Sequence, residues 1–140
     1  MNPVIKVISK VHRFVLQLSG GRIGNQMGGQ SILLLHHVGA KSNKHYRTPL
    51  GFVEKDGAYL LVAAAAGHPN HPGWYYNLKK NPSTTIEIMG KPIQVIAEVA
   101  STEVRDKLWI ELSAKYTQFD AFQKKAGRVI PIVLLHPQHG

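Results

Sequence analysis

Residues 68–82 read His-Pro-Asn-His-Pro-Gly-Trp-Tyr-Tyr-Asn-Leu-Lys-Lys-Asn-Pro, and four alanines and a glycine precede them at 63–67. Small side chains let a flat ligand approach the backbone closely. Trp74, Tyr75 and Asn77 can supply a stacking surface and polar anchors beside it. By composition alone, the better interpretation is a strand end, a proline-rich turn and a short helix with a core-facing Trp74. The spacing of this stretch, taken together with the segments described below, favours a ligand site.

The chain has 140 residues, an apolar fraction of 44% and no cysteine. This length predicts one domain, residues 1–140, with a full hydrophobic core. The absence of cysteine excludes disulfides, thiolate metal sites and a cysteine nucleophile. The apolar runs are too short to span a bilayer, and the N-terminus lacks the form of a signal peptide. We therefore predict a cytoplasmic protein.

The formal net charge is +9. A charge of this size implies an anionic partner, such as nucleic acid, an anionic membrane or a polyanionic small molecule. The basic residues are spread along the chain without a long block of like charges, which disfavours a nucleic-acid-binding arm. Trp74, Tyr75 and Tyr76 occur in one segment instead of alternating along strands. We therefore predict no nucleic-acid partner.

Residues 3–18 carry apolar side chains at helical spacing, with basic side chains largely on the remaining face. This pattern predicts a basic amphipathic helix. Such a helix either packs on its own domain or lies on an anionic membrane surface. The second alternative would place the protein peripherally at the inner face of the membrane, and both hold if the helix moves.

Six segments have the composition and length of strands: 31–38, 47–53, 58–64, 84–89, 92–99 and 129–135. Asp56-Gly57 and Gly90-Lys91 are predicted hairpin turns between neighbouring segments. A basic turn at 39–44 joins the first two segments. Consecutive strands joined by short turns are antiparallel, so we expect a mostly antiparallel sheet.

Helices are predicted in the second half of the chain. One is capped by Ser101 or Thr102, and a shorter one covers 119–125. Pro131 should lie at a sheet edge or a bulge, because proline cannot donate to a strand ladder. The predicted fold class is α+β, a six-stranded, mostly antiparallel, closed or split β-barrel whose helices cover the open side.

Histidine pairs at 36–37 and 68–71 are the candidate metal ligands. Adjacent strand residues point to opposite faces, so His36 and His37 cannot share a site. His68 and His71 flank prolines in a loop with no carboxylate nearby, and we predict no metal site. The chain has no G-x-S-x-G elbow, and its carboxylates fit turn and surface positions, which disfavours a serine hydrolase and a glycosidase.

The stretch 41–50 reads Lys-Ser-Asn-Lys-His-Tyr-Arg-Thr-Pro-Leu and links two predicted strands. It combines cations with hydroxyl groups and turn amides. A turn of this kind can hold a phosphate, with Lys and Arg side chains as clamps. The alternative is a solvated basic hairpin tip.

Taken together, these segments resemble the deazaflavin-dependent nitroreductase family, split-barrel oxidoreductases that use 8-hydroxy-5-deazaflavin, coenzyme F420. The resemblance covers nearly the whole chain in the same order and implies an FMN-binding split-barrel-like fold. The segments that carry it are Arg22-Ile23-Gly24 with Gly28-Gly29; Leu33-Leu34-Leu35, Gly39-Ala40-Lys41-Ser42 and Thr48-Pro49-Leu50; residues 71–82; and Ile130-Pro131-Ile132-Val133. The stretch 71–82 is the most specific of them.

The resemblance implies a cofactor site. Lys41 and Ser42 would hold the phosphate region, and Arg47, or Tyr46 beside it, takes the place of a family arginine. The ring would meet the backbone of Pro49 and lie along the alanines. The implied cofactor-binding residues are Lys41, Ser42, Tyr46, Arg47, Thr48, Pro49, Ala63, Ala64, Ala65, Ala66, Gly67, Gly73, Trp74 and Asn77. The phosphate and oligoglutamate tail of the cofactor suit a protein of charge +9.

The activity that the resemblance implies is hydride transfer between reduced coenzyme F420 and an activated alkene, quinone or nitro compound. The acceptor would be a small hydrophobic molecule. The implied acceptor-binding residues are Phe14, Phe119 and Phe122, and the candidates for polarising the acceptor or supplying a proton are Tyr75, Tyr76 and Tyr116.

Several positions depart from the family pattern. Ala40 and Asn43 stand in the turn where family members usually have arginine and glycine. Ala64 stands where many members have serine, and Phe119 and Phe122 lack the hydroxyl groups of the family's late tyrosines. Two alternatives follow, an FMN-dependent reductase on the same barrel and a non-catalytic F420-binding protein. The chain fits a monomer or a homodimer.

Overall fold

The computed structural model describes residues 26–27 and 30–138. The predicted helix at 3–18, with Phe14, lies outside these residues, so its membrane contact and its role at the acceptor stay predictions. A single domain over residues 1–140 also stays a prediction. In the part of the chain that is described, no helix is both long and apolar enough to cross a membrane.

The described residues form strands β1–β7 and helices α1–α3. The strands are Gln26–Met27, Gln30–Val38, His45–Lys55, Ala58–Val62, Ser83–Ile88, Lys91–Val99 and Ile132–Pro137. The helices are Gly73–Lys80, Thr102–Lys115 and Gln118–Ala126, and a short 3₁₀ turn at Ala65–Gly67 lies between β4 and α1.

The strands close into an antiparallel barrel in the order β2-β3-β4-β7-β6-β5, and β1 pairs with the start of β2. Closure is made by β2 and β5, where Leu35 lies opposite Ile86. A closed barrel leaves no long unpaired edge strand. The six-stranded barrel with covering helices confirms the predicted fold class.

Every second side chain along the strands points into the barrel, and these side chains fill it. Leu33 and Leu35 point inward from β2 and pack with Ile86 of β5 in the main core. Helix α1 adds Trp74 and Leu78 to the same core. Each fully buried side chain of this size contributes about 1.5–3 kcal/mol relative to an exposed one, so this packing fixes α1 against the end of the barrel.

A second core lies between the outside of the barrel and the helices α2 and α3. It contains Leu60 of β4, Trp109 and Leu112 of α2, and Phe119 of α3. The hydroxyl of Ser101 accepts a hydrogen bond from the Val104 amide at 3.3 Å and caps α2, as predicted. These helices therefore cover one side of the barrel.

The last strand begins later than the sequence predicts. The prediction starts it at residue 129, but β7 begins at Ile132. The Ile130 amide donates to the Gln123 side chain at 3.0 Å, and the Pro131 carbonyl accepts from the Ala63 amide at 2.9 Å. At Ile130 and Pro131, hydrogen bonds to a side chain and to a loop replace the strand-to-strand hydrogen bonds. Pro131 therefore precedes the strand and does not form a bulge within it.

The other strand boundaries that differ from the prediction do so by one or two residues. Strand β4 ends at Val62, not at residue 64, because the chain enters a left-handed turn at Ala65, where φ is 48°. The second hairpin turns at Met89 and Gly90, whose φ angles are 53° and 78°, one residue before the predicted Gly90-Lys91.

Candidate functional site

A cavity of about 980 Å³ opens where β2, the following turn and β3 meet α1. A volume of this size is in the range of small-molecule and cofactor sites. Its lining residues are His37, Gly39, Ala40, Lys41, Ser42, Tyr46, Thr48, Gly73, Trp74, Tyr76, Asn77, Lys79 and Lys80.

Strand alternation places the polar residues of this cavity. His37 shares the inner face of β2 with Leu33 and Leu35, one step beyond the apolar core. Its direct partner on β3 is Tyr46, and Thr48 is the next inward residue of that strand. The rings of His37 and Tyr46 stack, with centroids 5.4 Å apart. The inner face therefore changes from apolar to polar at the mouth of the barrel.

The side-chain amide of Asn77 joins α1 to the turn after β2. Its Oδ1 accepts a hydrogen bond from the Ala40 amide at 2.8 Å. This backbone donor fixes the orientation of the amide, so Nδ2 faces Nδ1 of His37 at 2.9 Å and donates to it. The Nε2–H of His37 then donates to the hydroxyl of Thr48 at 2.8 Å. One continuous network thus connects α1, β2, β3 and the turn.

This network requires a neutral His37. A protonated ring would point a second N–H at the N–H of Asn77. Burial, with smaller contributions from the neighbouring His45 and His36, lowers the pKa of His37 to about 4. His37 is only 3% exposed. The imidazole therefore acts as a fixed, uncharged hydrogen-bonding group at neutral pH.

The turn at 39–44 is closed by backbone hydrogen bonds and by the close packing of Gly39 against the Ser42 side chain. The Gly39 amide donates to the Lys44 carbonyl at 2.8 Å, and the Asn43 amide donates to the Gly39 carbonyl at 3.0 Å. A Cβ on Gly39 would lie 2.2 Å from Oγ of Ser42, so only glycine leaves this hydroxyl in place. Asn43 has φ 59°, a conformation that asparagine tolerates best after glycine. This accounts for an asparagine at this position of the turn.

Cations surround the mouth of the cavity. Lys41, Lys79 and Lys80 line it, and none of its described lining residues is acidic. The ammonium group of Lys80 donates to the Ala40 carbonyl at 2.6 Å, which places a charge beside the turn where Ala40 supplies none. Exposed lysines of this kind bind anions as mobile point charges. The cavity is therefore suited to an anionic ligand.

Arg47 lies on the opposite face of β3 from Tyr46. Its Nη2 donates to the Glu87 carboxylate at 3.1 Å, and His36 contacts the same oxygen at 2.6 Å. The hydrogen bond from His36 holds the pKa of Glu87 below its ordinary value, and the charge of Arg47 acts in the same direction. Of the two residues predicted for the arginine position, Tyr46 lines the cavity and Arg47 does not. The expected separation of His36 and His37 is observed.

The alanine run and Pro49 are not among the cavity-lining residues. Ala63 and Ala64 are buried, whereas Ala65 and Ala66 are exposed in the turn that follows β4. Pro49 is buried on the outer face of β3, opposite Leu34. The predicted contacts of these residues and of Gly67 with a cofactor ring stay predictions.

The predicted proton-transfer and acceptor residues lie at separate places. Tyr76 lines the cavity and is 48% exposed. Tyr75 is buried in the main core, and Tyr116 packs against Phe119 in the second core, together with Phe122. The structure therefore brings Tyr76 to the cavity. The other described candidates do not line it: Tyr75, Tyr116, Phe119 and Phe122.

The histidines considered as metal ligands have other partners. Nδ1 of His71 accepts from Arg128 at 2.8 Å, and Nδ1 of His68 accepts from the Asn70 amide at 3.1 Å. Among the described residues, no three His, Cys, Asp or Glu side chains are grouped so that they could hold a metal ion.

Five cavity residues are not among those predicted for the site from the sequence. His37 is the last but one residue of β2, Gly39 and Ala40 directly follow that strand, and Lys79 and Lys80 lie one turn beyond Tyr76 on α1. Two signals could have found His37 and the two lysines. His37 has the same strand parity as the core leucines, and residues three and four apart share a helix face.

The closed barrel and its cationic cavity define a split-barrel protein whose cavity is suited to an anionic ligand. The family model described as F420H(2)-dependent quinone reductase matches residues 8–137, so the chain belongs to that family. The family confirms two predictions: the protein is an oxidoreductase, and its cofactor is coenzyme F420.

Individual relatives agree with this assignment. An F420H(2)-dependent quinone reductase of Mycobacterium tuberculosis is 35% identical over 130 residues, which cover 90% of this chain and 87% of the relative. A solved F420-H2 dependent reductase is 34% identical with a TM-score of 0.66, over 75% of this chain and 93% of the other. A solved domain-swapped dimer is 31% identical with a TM-score of 0.67, over 96% of this chain and 100% of the other.

The neutral His37 predicts a specific pH dependence of stability. Its pKa in the folded protein, about 4, is below the ordinary value of 6.5, so the unfolded chain binds the proton more tightly. The stabilisation is complete above pH 6.5 and is lost as the pH falls towards 4, by about 3 kcal/mol. Urea titrations between about pH 4 and 7 measure this loss.

The control for this prediction is His37→Gln, which has no titrating ring. The variant should lose correspondingly less stability over the same pH range, whatever its stability at neutral pH. If the free energy of unfolding had the same pH dependence in the wild type and in the variant, the lowered pKa of His37 would be contradicted. Imidazole ¹⁵N shifts of the wild type should show the Nε2–H form at neutral pH.

Proposed function

We propose that this protein is an F420H2-dependent quinone reductase, and that activated alkenes and nitro compounds are secondary acceptors. The observation that carries the proposal is the cavity, which joins a lysine-rich mouth to the buried Trp74 and the small residue Gly73. Membership of the family, and the names of its relatives, support the choice of a quinone.

The residues of the cavity fit the chemistry of the cofactor. Lys41, Ser42 and Lys80 would hold the phosphate, because they place two cations and a hydroxyl at one turn. A Cβ added to Gly73 would meet no atom within 4 Å, so a flat ring can approach the backbone there. The exposed Lys79 would meet further negative charge on the tail.

When bound, reduced coenzyme F420 would supply a hydride to the acceptor. Conversion of a quinone to the hydroquinone needs this hydride, which carries two electrons, and one proton. We assign the proton to the hydroxyl of Tyr76, whose O–H bond breaks as the proton moves to the quinone oxygen. The phenolate then regains a proton from solvent. Oxidation of F420H2 would release one proton in addition to the hydride, which balances this uptake. The protein otherwise positions the reactants.

The position of Tyr76 supports this role. Its ring contacts that of His71, with centroids 5.8 Å apart. Nη1 of Arg128 donates to Nδ1 of the same histidine at 2.8 Å. This hydrogen bond holds the His71 ring in place beside the tyrosine.

A fluorescence titration with oxidised F420, run beside FMN, tests the cofactor in this protein directly. We expect F420 to quench tryptophan fluorescence with a dissociation constant in the micromolar range or tighter, since Trp74 lines the cavity. Tight binding of FMN and no binding of F420 would show that the cofactor is FMN. Binding of F420 without oxidation of its reduced form by a panel of quinones would instead support a non-catalytic carrier.

Lys41→Ala should weaken F420 binding by about 1–3 kcal/mol, the usual range for a hydrogen bond to a charged group. The matched control is Lys44→Ala. Lys44 is exposed in the same turn but does not line the cavity, and its backbone bonds are retained in alanine. Equal losses in the two variants would mean that the turn attracts the cofactor only through its general charge.

Tyr76→Phe should lower kcat with a quinone by roughly 100-fold and leave F420 affinity unchanged, because it removes the proton donor and keeps the ring. Tyr116→Phe is the control, since Tyr116 packs in the second core. A Tyr76→Phe enzyme with the wild-type kcat would overturn the assignment. Stopped-flow measurement of F420H2 oxidation in single turnovers isolates the chemical step.

A further inference from the structure

The chain adopts a strained backbone between β4 and α1. Ala65, Ala66 and Gly67 follow one another with φ angles of 48°, 52° and 82°. A left-handed conformation is strained for any residue other than glycine. Such a turn persists only where the surrounding structure holds it.

Arg128 bonds to both ends of this turn. Its Nη2 donates to the carbonyls of Ala63 and Ala64 at 3.2 and 3.1 Å, before the turn. Its Nε donates to the His68 carbonyl at 3.1 Å, directly after the turn. One guanidinium therefore fixes the chain on either side of the strained residues.

The fourth bond of Arg128 connects the turn to the cavity. Nη1 donates to Nδ1 of His71 at 2.8 Å, and His71 lies two residues before the start of α1. The ring of His71 also contacts Tyr75 and Tyr76, with centroids 4.8 and 5.8 Å away. Tyr76 lines the cavity, so a displacement of His71 would reach the cavity wall.

Arginine suits this position because its donors point in fixed directions from a planar group. Lysine has a single nitrogen and cannot reach four acceptors that lie on three sides. Arg128 itself follows Gly127, which ends α3 in a left-handed conformation with φ 65°. The chain that leaves α3 therefore places Arg128 next to the left-handed turn.

We propose that Arg128 is a positioning residue, which holds the left-handed turn and the start of α1 so that the cavity is formed before the cofactor arrives. The effect on the turn is independent of any ligand, whereas the effect on F420 binding rests on the proposed function. Preorganisation of this kind increases affinity because the ordering cost is met in the free protein.

The test compares Arg128→Lys with Arg105→Lys. Arg105 is a matched control, since it also donates to a backbone carbonyl, that of Ile130 at 2.9 Å, and lies over Trp109 in the second core. Hydrogen exchange of the Gly67 and His68 amides, which bond to the Ala64 and Ala65 carbonyls, reports on the turn in the free protein.

Arg128→Lys should raise the exchange of these two amides roughly tenfold, the equivalent of one lost hydrogen bond. It should also weaken F420 binding roughly tenfold by the same loss, whereas Arg105→Lys should change neither. Unchanged exchange in Arg128→Lys would overturn the proposal. Faster exchange with unchanged F420 affinity would overturn the role in the cavity.

A second variant, Arg128→Gln, keeps two N–H donors without the charge and should give the same result. If neither variant folds while Arg105→Lys does, Arg128 is a requirement of the whole fold and the positioning role is overturned. A wild type that binds no F420 would contradict the proposed function, and the exchange data would still decide whether Arg128 holds the turn.

Discussion

The cavity depends on one side-chain amide. Asn77 on α1 accepts from the Ala40 amide in the turn and donates to His37 on β2, so it fastens the helix to the end of the barrel at two points. The two ends of the amide have opposite hydrogen-bonding character, which allows one orientation. That orientation in turn sets the tautomer of His37 and directs its remaining N–H at Thr48.

The fold could be predicted from the sequence because its strands are local and alternate. Hairpin turns such as Asp56-Gly57 pair neighbouring strands, and the inward leucines of β2 identify the core face. Boundaries were less predictable where side chains replace ladder bonds. At Ile130 the backbone amide bonds to Gln123, and no local pattern indicates that a residue on α3 will supply the acceptor.

The site could be predicted in part. Lys41, Ser42, Gly73, Trp74 and Asn77 were identified through resemblance, and all line the cavity. The choice between adjacent residues of β3 required the register, because one step along a strand reverses the face. The partners of the turn at 63–68 could not be anticipated either, since Arg128 is distant from them in sequence and reaches them only in the folded barrel.

The fixed and mobile parts of the site differ in charge. The groups joined in one hydrogen-bond network, His37, Asn77 and Thr48, are neutral, whereas Lys41 and Lys79 are exposed at the end of flexible side chains. A buried charge in the network would carry a large desolvation cost. Exposed lysines avoid that cost and can follow an anion of variable length and position. The barrel thus provides shape through its rigid neutral groups, and the surface provides attraction through its mobile cations.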